Sequence, residues 1–151
     1  MATGMSGTAE GDVLKLLFNN TNWANVGDAT GLRGSTTAGS FFISLSTGTL
    51  SSTSTQTTTE AAYTSYARVT VARSSGGWTI AGTAPAASTN AAAVTFPAAT
   101  GGTETEAYAV TGRDTSGAGE NIFFGPLGVS LPVVSGVTPS FAIGALSNQL
   151  T

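Results

Sequence analysis

The sequence predicts an all-β fold, an antiparallel β-sandwich of jelly-roll type with one short N-terminal helix. Three observations point there. Apolar and polar residues alternate in short runs, the period of a strand with one buried face. Turns rich in Gly, Ser and Pro separate those runs at roughly 10–15-residue spacing, as in sandwiches and barrels. Only 9% of the 151 residues are charged, and Thr, Ser, Ala and Gly take their place. Thr favours strands, while Ser and Gly favour turns. Hydrophobic residues make up 40% of the chain, enough to fill a core in a protein of single-domain length. Ala is a poor strand former, so its abundance points to close approach of sheets or of subunits.

The elements follow in order. Residues 1–8 carry Gly4 and Gly7 among Ser and Thr and read as a flexible arm. Counted up to the first core-like residue, the arm is 1–12, and 13–151 is a single β-sandwich domain. Val13, Leu14, Leu17 and Phe18 have helical spacing, and Glu10 and Asp12 lie at the end that a helix dipole favours for acids. The spacing predicts a helix over about 9–18, ended by Asn19-Asn20. Residues 19–39 form a loop with Gly27, Gly31, Gly34 and Gly39. Phe41, Ile43 and Leu45 alternate as a strand, and Ser46 to Thr59 is a Ser/Thr-rich surface loop or mobile tip.

Ala67, Val69 and Val71 give a second strand. Ser74-Ser75-Gly76-Gly77 is a hairpin turn from which Trp78-Thr79-Ile80 returns. A small-residue loop spans 82–90. Val94 and Phe96 lead a strand that Pro97 ends, Gly101-Gly102 turns, and Tyr108 and Val110 mark the next strand. After a turn at Asp114 to Gly119 come Ile122-Phe123-Phe124, bounded by Gly125-Pro126, then Val129, Leu131 and Val133. Ser135-Gly136 turns, and Val137, Phe141 and Ile143 close a series of about eight strands. The expected core is Leu14, Leu17, Ile43, Leu45, Val69, Val71, Ile80, Val94, Phe96, Val110, Ile122, Leu131, Phe141 and Ile143.

Composition excludes several functions. The net charge is −3, and the five basic residues, Lys15, Arg33, Arg68, Arg73 and Arg113, are scattered. No basic patch can displace phosphate counterions, so neither nucleic acid nor an anionic membrane is expected as a partner. No apolar run reaches the ~18 residues that span a bilayer. Residues 1–12 lack the basic start and apolar stretch of a signal peptide, so synthesis in the cytoplasm is expected. Without Cys or His, the chain lacks thiolate ligands and the commonest general base and zinc ligand. No Gly-x-Ser-x-Gly elbow, Walker loop or dinucleotide fingerprint is present. The expectation is no enzyme activity, no cofactor and no metal.

A few residues remain as candidates. Glu104 and Glu106 lie two apart and share a face if extended. They either contribute to a Ca²⁺ site, which needs six or more oxygens, or solvate a strand edge against edge-to-edge pairing. Asn19-Asn20-Thr21 matches the glycosylation sequon, but modification is not expected without a secretory signal. In so charge-poor a chain Glu60, Tyr63, Tyr66, Arg68 and Arg73 are candidate interaction residues, because an Arg fork fits a carboxylate bidentately. They serve either an inter-subunit contact or an intrachain pair that pins the long loop. Trp23, Phe42, Tyr63 and Trp78 either pack the core or form an adhesive, carbohydrate-binding surface.

The run Leu16-Leu17-Phe18-Asn19-Asn20-Thr21-Asn22-Trp23-Ala24-Asn25-Val26-Gly27-Asp28 resembles the start of a family of small phage structural proteins. So do Glu60-Ala61-Ala62-Tyr63-Thr64-Ser65-Tyr66-Ala67-Arg68-Val69 and Arg73-Ser74-Ser75-Gly76-Gly77-Trp78. Ala93-Val94-Thr95-Phe96-Pro97-Ala98 and Phe141-Ala142-Ile143-Gly144-Ala145-Leu146 extend the likeness over residues 14–146. The family is labelled as phage tail-fibre proteins, and similar proteins look like jelly-roll cement proteins on HK97-type heads. Family members often carry a His in the strand that here reads Glu106-Ala107-Tyr108-Ala109-Val110. With Tyr108 there, the resemblance carries no metal or pH role to that strand.

The resemblance and the composition together imply a virion structural protein. The first reading is a capsid decoration or cement protein on the outer surface of the head. It would bind the major capsid protein and itself, as a homodimer or homotrimer, and stabilise contacts between capsomers. The arm and the 46–59 loop suit that role. The alternative is a tail-fibre or tail accessory protein that meets a host-surface receptor. It is placed second because an isolated fibre usually needs repeats or a coiled coil, and neither is visible.

Overall fold

The computed structural model describes residues 5–24, 26, 34–82, 85–113, 117 and 121–149. Residues 1–4 of the expected arm, most of the Gly27–Gly34 stretch, residues 83–84 of the small-residue loop and most of the turn at 114–119 lie outside them. The fold is antiparallel and all-β with one short helix, α1 (Gly7–Asn19). The helix has thirteen residues, and the remaining regular structure among the described residues is strand, as the period-two alternation requires. Among the described residues nine strands follow: β1 (Ser40–Ser46), β2 (Val69–Ala72), β3 (Trp78–Ala81), β4 (Ala87–Asn90), β5 (Val94–Thr95), β6 (Glu106–Arg113), β7 (Phe123–Pro132), β8 (Ser140–Phe141) and β9 (Ser147–Gln149). They pair in the orders β2-β1-β6-β7, β3-β4-β9 and β5-β8. These four-, three- and two-stranded ladders do not establish the jelly-roll wiring expected with the fold. The chain divides into two compact units, each built from discontinuous segments.

The first unit takes residues 1–39, 72–93 and 141–151. Helix α1 starts two residues before the expected position because Ser6 caps it, its Oγ accepting from Ala9 N at 3.3 Å. Residues 7 and 8, read as part of the flexible arm, are therefore helical, and residues 9–12, counted in the 1–12 arm but also in the expected helix, belong to the helix. The helix stops at Asn20, which takes a left-handed conformation (φ 55°), and Thr21 N donates back to Lys15 O at 3.1 Å. Gly11, Leu14 and Phe18 form the buried stripe, which packs on β3 and β4. The Phe18 and Trp78 rings meet edge to face at 4.9 Å. Buried Asn90 gathers the C-terminal segment: Nδ2 donates to Ala92 O and Ala142 O, and Oδ1 accepts from Leu146 N, all at 2.8 Å.

Two expectations for this unit are corrected. Strand β3 does not return along β2 as a hairpin; β3 pairs with β4, and β2 with β1. The turn itself exists, with Gly77 N and Trp78 N both donating to Ser74 O at 2.9 Å. Burial of the Trp78 indole then sends the chain to a different sheet. Residues 87–90, read as loop, form the central strand of the three-stranded ladder. Their low strand propensity is outweighed by hydrogen bonding on both sides.

The second unit takes residues 40–71 and 94–140. Its central strand β1 buries Phe41, Ile43 and Leu45 completely, and Ser44 and Ser46 on the other face are buried too. Burial of a hydroxyl needs a partner, and Ser44 Oγ finds Thr111 Oγ1 across the β1–β6 ladder at 2.6 Å. Strand β7 runs unbroken through Gly125-Pro126, where two strands were expected. Pro is tolerated because β7 is an edge strand, where a missing N–H costs no ladder bond on the open side. An irregularity opposite Ala107 to Ala109 absorbs the extra β7 residues.

Of the expected core, Leu14, Ile43, Leu45, Val94, Phe96, Val110 and Phe141 are buried. Leu17, Val69, Val71, Ile80 and Leu131 are half-buried. Ile122 and Ile143 are exposed, the latter at 71%, because Ile143 sits in the turn that follows β8 rather than in a strand. Phe18, Phe41, Tyr63, Trp78, Val133 and Leu146 fill the core in their place.

Candidate functional site

Four of the five candidate interaction residues converge in the second unit. Glu60 is bridged to the end of β1 at Ser46, and Arg68 lies just before β2. Arg68 Nε donates to Glu60 Oε1 and Nη2 to Oε2, each at 2.7 Å, a fork-to-fork pair. Arg68 Nη1 donates to Gly117 O at 2.9 Å. Tyr66 OH donates to Glu60 Oε1 at 3.0 Å and accepts from Leu45 N at 3.1 Å. Each charged side chain is 16% exposed, so the pair is largely withdrawn from water.

Aromatic rings support this pair. Tyr63 meets Tyr66 edge to face at 5.2 Å, Tyr66 lies nearly parallel to Phe96 at 6.2 Å, and Tyr63 OH donates to Pro97 O at 2.9 Å. Burial pushes the Tyr66 phenol far above its ordinary value, and the Glu60 carboxylate adds to the rise. Burial also raises Tyr63, with Glu104 contributing. The hydrogen bond to Glu60 raises Arg68. All three groups therefore stay protonated, and the cluster is a fixed, internally paired set of dipoles and charges. Its geometry matches the intrachain reading of these residues, since the two charges satisfy each other.

Arg73 is elsewhere, in the first unit. Its Nε donates to Leu17 O at 2.7 Å, Nη2 to Leu16 O at 3.2 Å and Nη1 to Ala38 O at 3.0 Å. It thus supplies the cation that the last turn of α1 lacks and satisfies carbonyls that a helix end leaves open. Arg73 is not part of the Glu60 cluster.

The remaining candidates separate as well. Glu104 lies before β6 and accepts from Ala62 N through Oε2 at 2.7 Å, whereas Glu106 Oε2 accepts from Tyr108 OH at 2.9 Å. Among the described residues no group of three or more acidic, His or Cys side chains could hold a metal ion. The Asn19 side-chain nitrogen donates to Trp78 O at 3.0 Å and Ser74 O at 3.2 Å in the orientation that matches donors to acceptors. Asn20 holds Ser35 by its backbone, Nδ2 to Ser35 O at 2.8 Å and Oδ1 from Ser35 N at 2.6 Å. Asn20 thus ties Ser35 to the end of α1. Tyr63 and Trp78 are buried, and Trp23 and Phe42 are half-buried.

A second surface feature was missed from sequence. Exposed Tyr108 and Phe124 line a cleft of about 330 Å³ with Thr49, Leu50, Ala109 and Pro126. Tyr108 comes from β6 and Phe124 from β7. The assumed break at Gly125-Pro126 hid their proximity. In sequence Ile122 to Leu127 is an apolar run broken only by Gly125, with no period-two signal to reveal it.

A family model described as podophage GP4 fiber I protein gp80 matches residues 4–149. No curated protein matches the chain.

Proposed function

The chain belongs to the Gp80 family, podophage GP4 fiber I protein gp80, and from that premise we propose that it is a fiber component that carries host-surface attachment. That it is a virion structural protein follows from the family itself. The single observation that carries the finer reading is a fiber-family match over nearly the whole chain. Capsid decoration, the first reading from sequence, receives no comparable support. The structure adds nothing that favours it over a fiber: the 46–59 loop is tied down at its base, Ser46 Oγ to Thr59 Oγ1 at 2.6 Å and Gln56 Nε2 to Phe42 O at 2.5 Å.

The reading includes self-association as a dimer or trimer, because a surface poor in charge costs little to desolvate, and a host receptor as partner. It involves no reaction and no cofactor. Gold-labelled antibody against the chain, applied to purified virions, tests it. Label on fibers at the tail end is the expected result. Label spread over heads overturns the fiber reading and restores decoration.

A further inference from the structure

We infer that β7 is a self-pairing edge, on which a second copy of this chain docks as an antiparallel strand across a two-fold axis at Val129. The inference rests on the self-association included in the reading above and names its surface. Strand β7 ends the order β2-β1-β6-β7, so one side of it has no ladder partner among the described residues. The register sets Ala107 opposite Leu131 and Ala109 opposite Pro126, which leaves residues 127–130 opposite Tyr108 alone. Those four residues lack matched partners on β6 as well. Strand N–H and C=O groups left open in this way are a template for another extended main chain. Val129, in the middle of the stretch, is 84% exposed.

Two features select a second copy as that main chain. The first is symmetry. The run Pro126-Leu127-Gly128-Val129-Ser130-Leu131-Pro132 reads nearly the same in both directions. An antiparallel pair centred on Val129 sets Val129 against Val129, Leu127 against Leu131 and Gly128 against Ser130 of the other copy. Apolar side chains then meet apolar ones, and small residues meet small ones. Pro126 falls opposite Pro132, and neither has an N–H to donate. The ladder is thereby confined to the five residues between the prolines and does not run on into an open sheet. The run carries no charge, whereas edges guarded against self-pairing carry Lys or other charges. The second feature is Gly128. Its φ lies outside the left-handed region, and a Cβ there would meet no atom within 4 Å. Neither its backbone conformation nor its neighbours in the fold require glycine, which weakens a strand. Close approach of an outside main chain does require it.

The test is cysteine cross-linking of the full chain, which has no Cys of its own. Directly opposed residues of an antiparallel pair have Cα atoms about 4.5–5.5 Å apart, within the roughly 4.4–6.8 Å that a disulfide spans. With glutathione disulfide as oxidant, Val129→Cys is expected to give a covalent dimer. Ile143→Cys, at a position 71% exposed in the first unit, is expected to stay monomeric. A five-residue ladder is small beside a standard interface of roughly 1,200–2,000 Å², so sedimentation of the parent chain is followed up to about 1 mM. Gly128→Val and Val129→Lys, both with room in the single chain and checked by circular dichroism, should each raise the dimer dissociation constant roughly tenfold. Val129→Lys mixed with Val129→Glu should recover the dimer, because opposite charges then meet on the axis. A parent chain still monomeric at that concentration overturns the inference, as does a trimer or equally fast cross-linking at Ile143. A dimer indifferent to both substitutions overturns it too. Virion labelling separates the two levels. Cross-linking at Val129 with label on heads keeps the edge and removes the fiber reading. Label on fibers without that cross-link keeps the fiber reading and removes the edge.

Discussion

Arg68 and Glu60 meet through two parallel hydrogen bonds of 2.7 Å while each side chain is only 16% exposed. Removing one member leaves the other charge largely buried and unpaired, the costly half of the balance. Arg68→Met and Glu60→Gln are each expected to lower the unfolding free energy by about 3 kcal/mol. The double variant should lose less than the sum, because no lone charge remains. Urea denaturation of the four proteins checks this. Additive losses would show that the pair is not coupled.

The neighbouring tyrosines set an alkaline limit. Tyr63 and Tyr66 have phenol values raised above the ordinary 10.0, in both cases chiefly by burial. Below that value the phenols are neutral in folded and unfolded chains alike, and their contribution is fully present. As pH rises past it the unfolded chain releases protons that the folded chain retains. Stability is then lost at up to about 1.4 kcal/mol per pH unit per tyrosine, until the folded values are reached. Phenolate absorbance should show exposed Tyr108 ionising while the protein is folded. Tyr63 and Tyr66 should ionise only with unfolding. A single smooth titration of all three in the folded state would contradict this.

The parts of this fold legible in the sequence are those where period and burial coincide. Strand β1 is read correctly because Phe41, Ile43 and Leu45 alternate around a buried face, and α1 because Leu14 and Phe18 lie one turn apart on one face. The Glu60–Arg68 pair was visible because charges are scarce and a carboxylate lay within reach of a guanidinium. Strand β4 was illegible because Ala87-Ser88-Thr89-Asn90 has no apolar alternation; ladder bonds and the Asn90 amide make it a strand. The β7 error has a similar origin. Gly125-Pro126 is a strong local turn signal, and only the edge position, a property of the whole sheet, cancels it. Nearness in sequence groups Arg73 with Arg68, whereas its partners are Leu16 and Leu17 in α1, more than fifty residues earlier, and Ala38.

That long-range contact gives a third prediction. Arg73→Ala opens the carbonyls of Leu16, Leu17 and Ala38 together and removes the cation at the helix C-terminus. A loss of about 2–3 kcal/mol is expected. Amide hydrogen exchange should accelerate in α1 well before it does in β6 and β7. Arg73→Lys keeps the charge but not the fork, so it should recover only part of the protection. Equal protection of α1 in Arg73→Ala and the parent would remove the capping role.

Gly112 sits opposite Phe123 in the β6–β7 ladder. A Cβ on Gly112 would overlap the Phe123 ring, which in turn packs edge to face on Phe41 at 5.6 Å. Gly112→Ala should therefore displace the ring and cost about 1–3 kcal/mol. Combined with Phe123→Ala, the glycine substitution should cost much less, a coupling of about 1 kcal/mol or more in a double-mutant cycle. Independent effects would show that the ring is free to move aside.

The last prediction concerns the host-surface attachment proposed above. The chain has five basic and eight acidic residues, and every charged side chain described by the structure already has an internal job. Glu10 accepts from Ala86 N, Lys15 pairs with Asp12, and Glu60 pairs with Arg68. Arg73 caps α1, Glu104 holds Ala62 N, and Glu106 holds Tyr108 OH. Bonds to neutral donors leave Glu10, Glu104 and Glu106 charged, but charges this sparse and mostly of one sign give only a weak long-range attraction to another surface. Salt shortens the reach of exposed charges, from roughly 30 Å at 0.01 M to about 3 Å at 1 M ionic strength, so an electrostatic attachment would weaken steeply over that range. Attachment through apolar and hydrogen-bonded contacts would not, and its association rate would lack electrostatic steering. The expected result is that adsorption of the purified chain to host cells, measured by fluorescence across that range, changes less than about threefold. A fall of a hundredfold would show that the charges on the remaining segments carry the attachment.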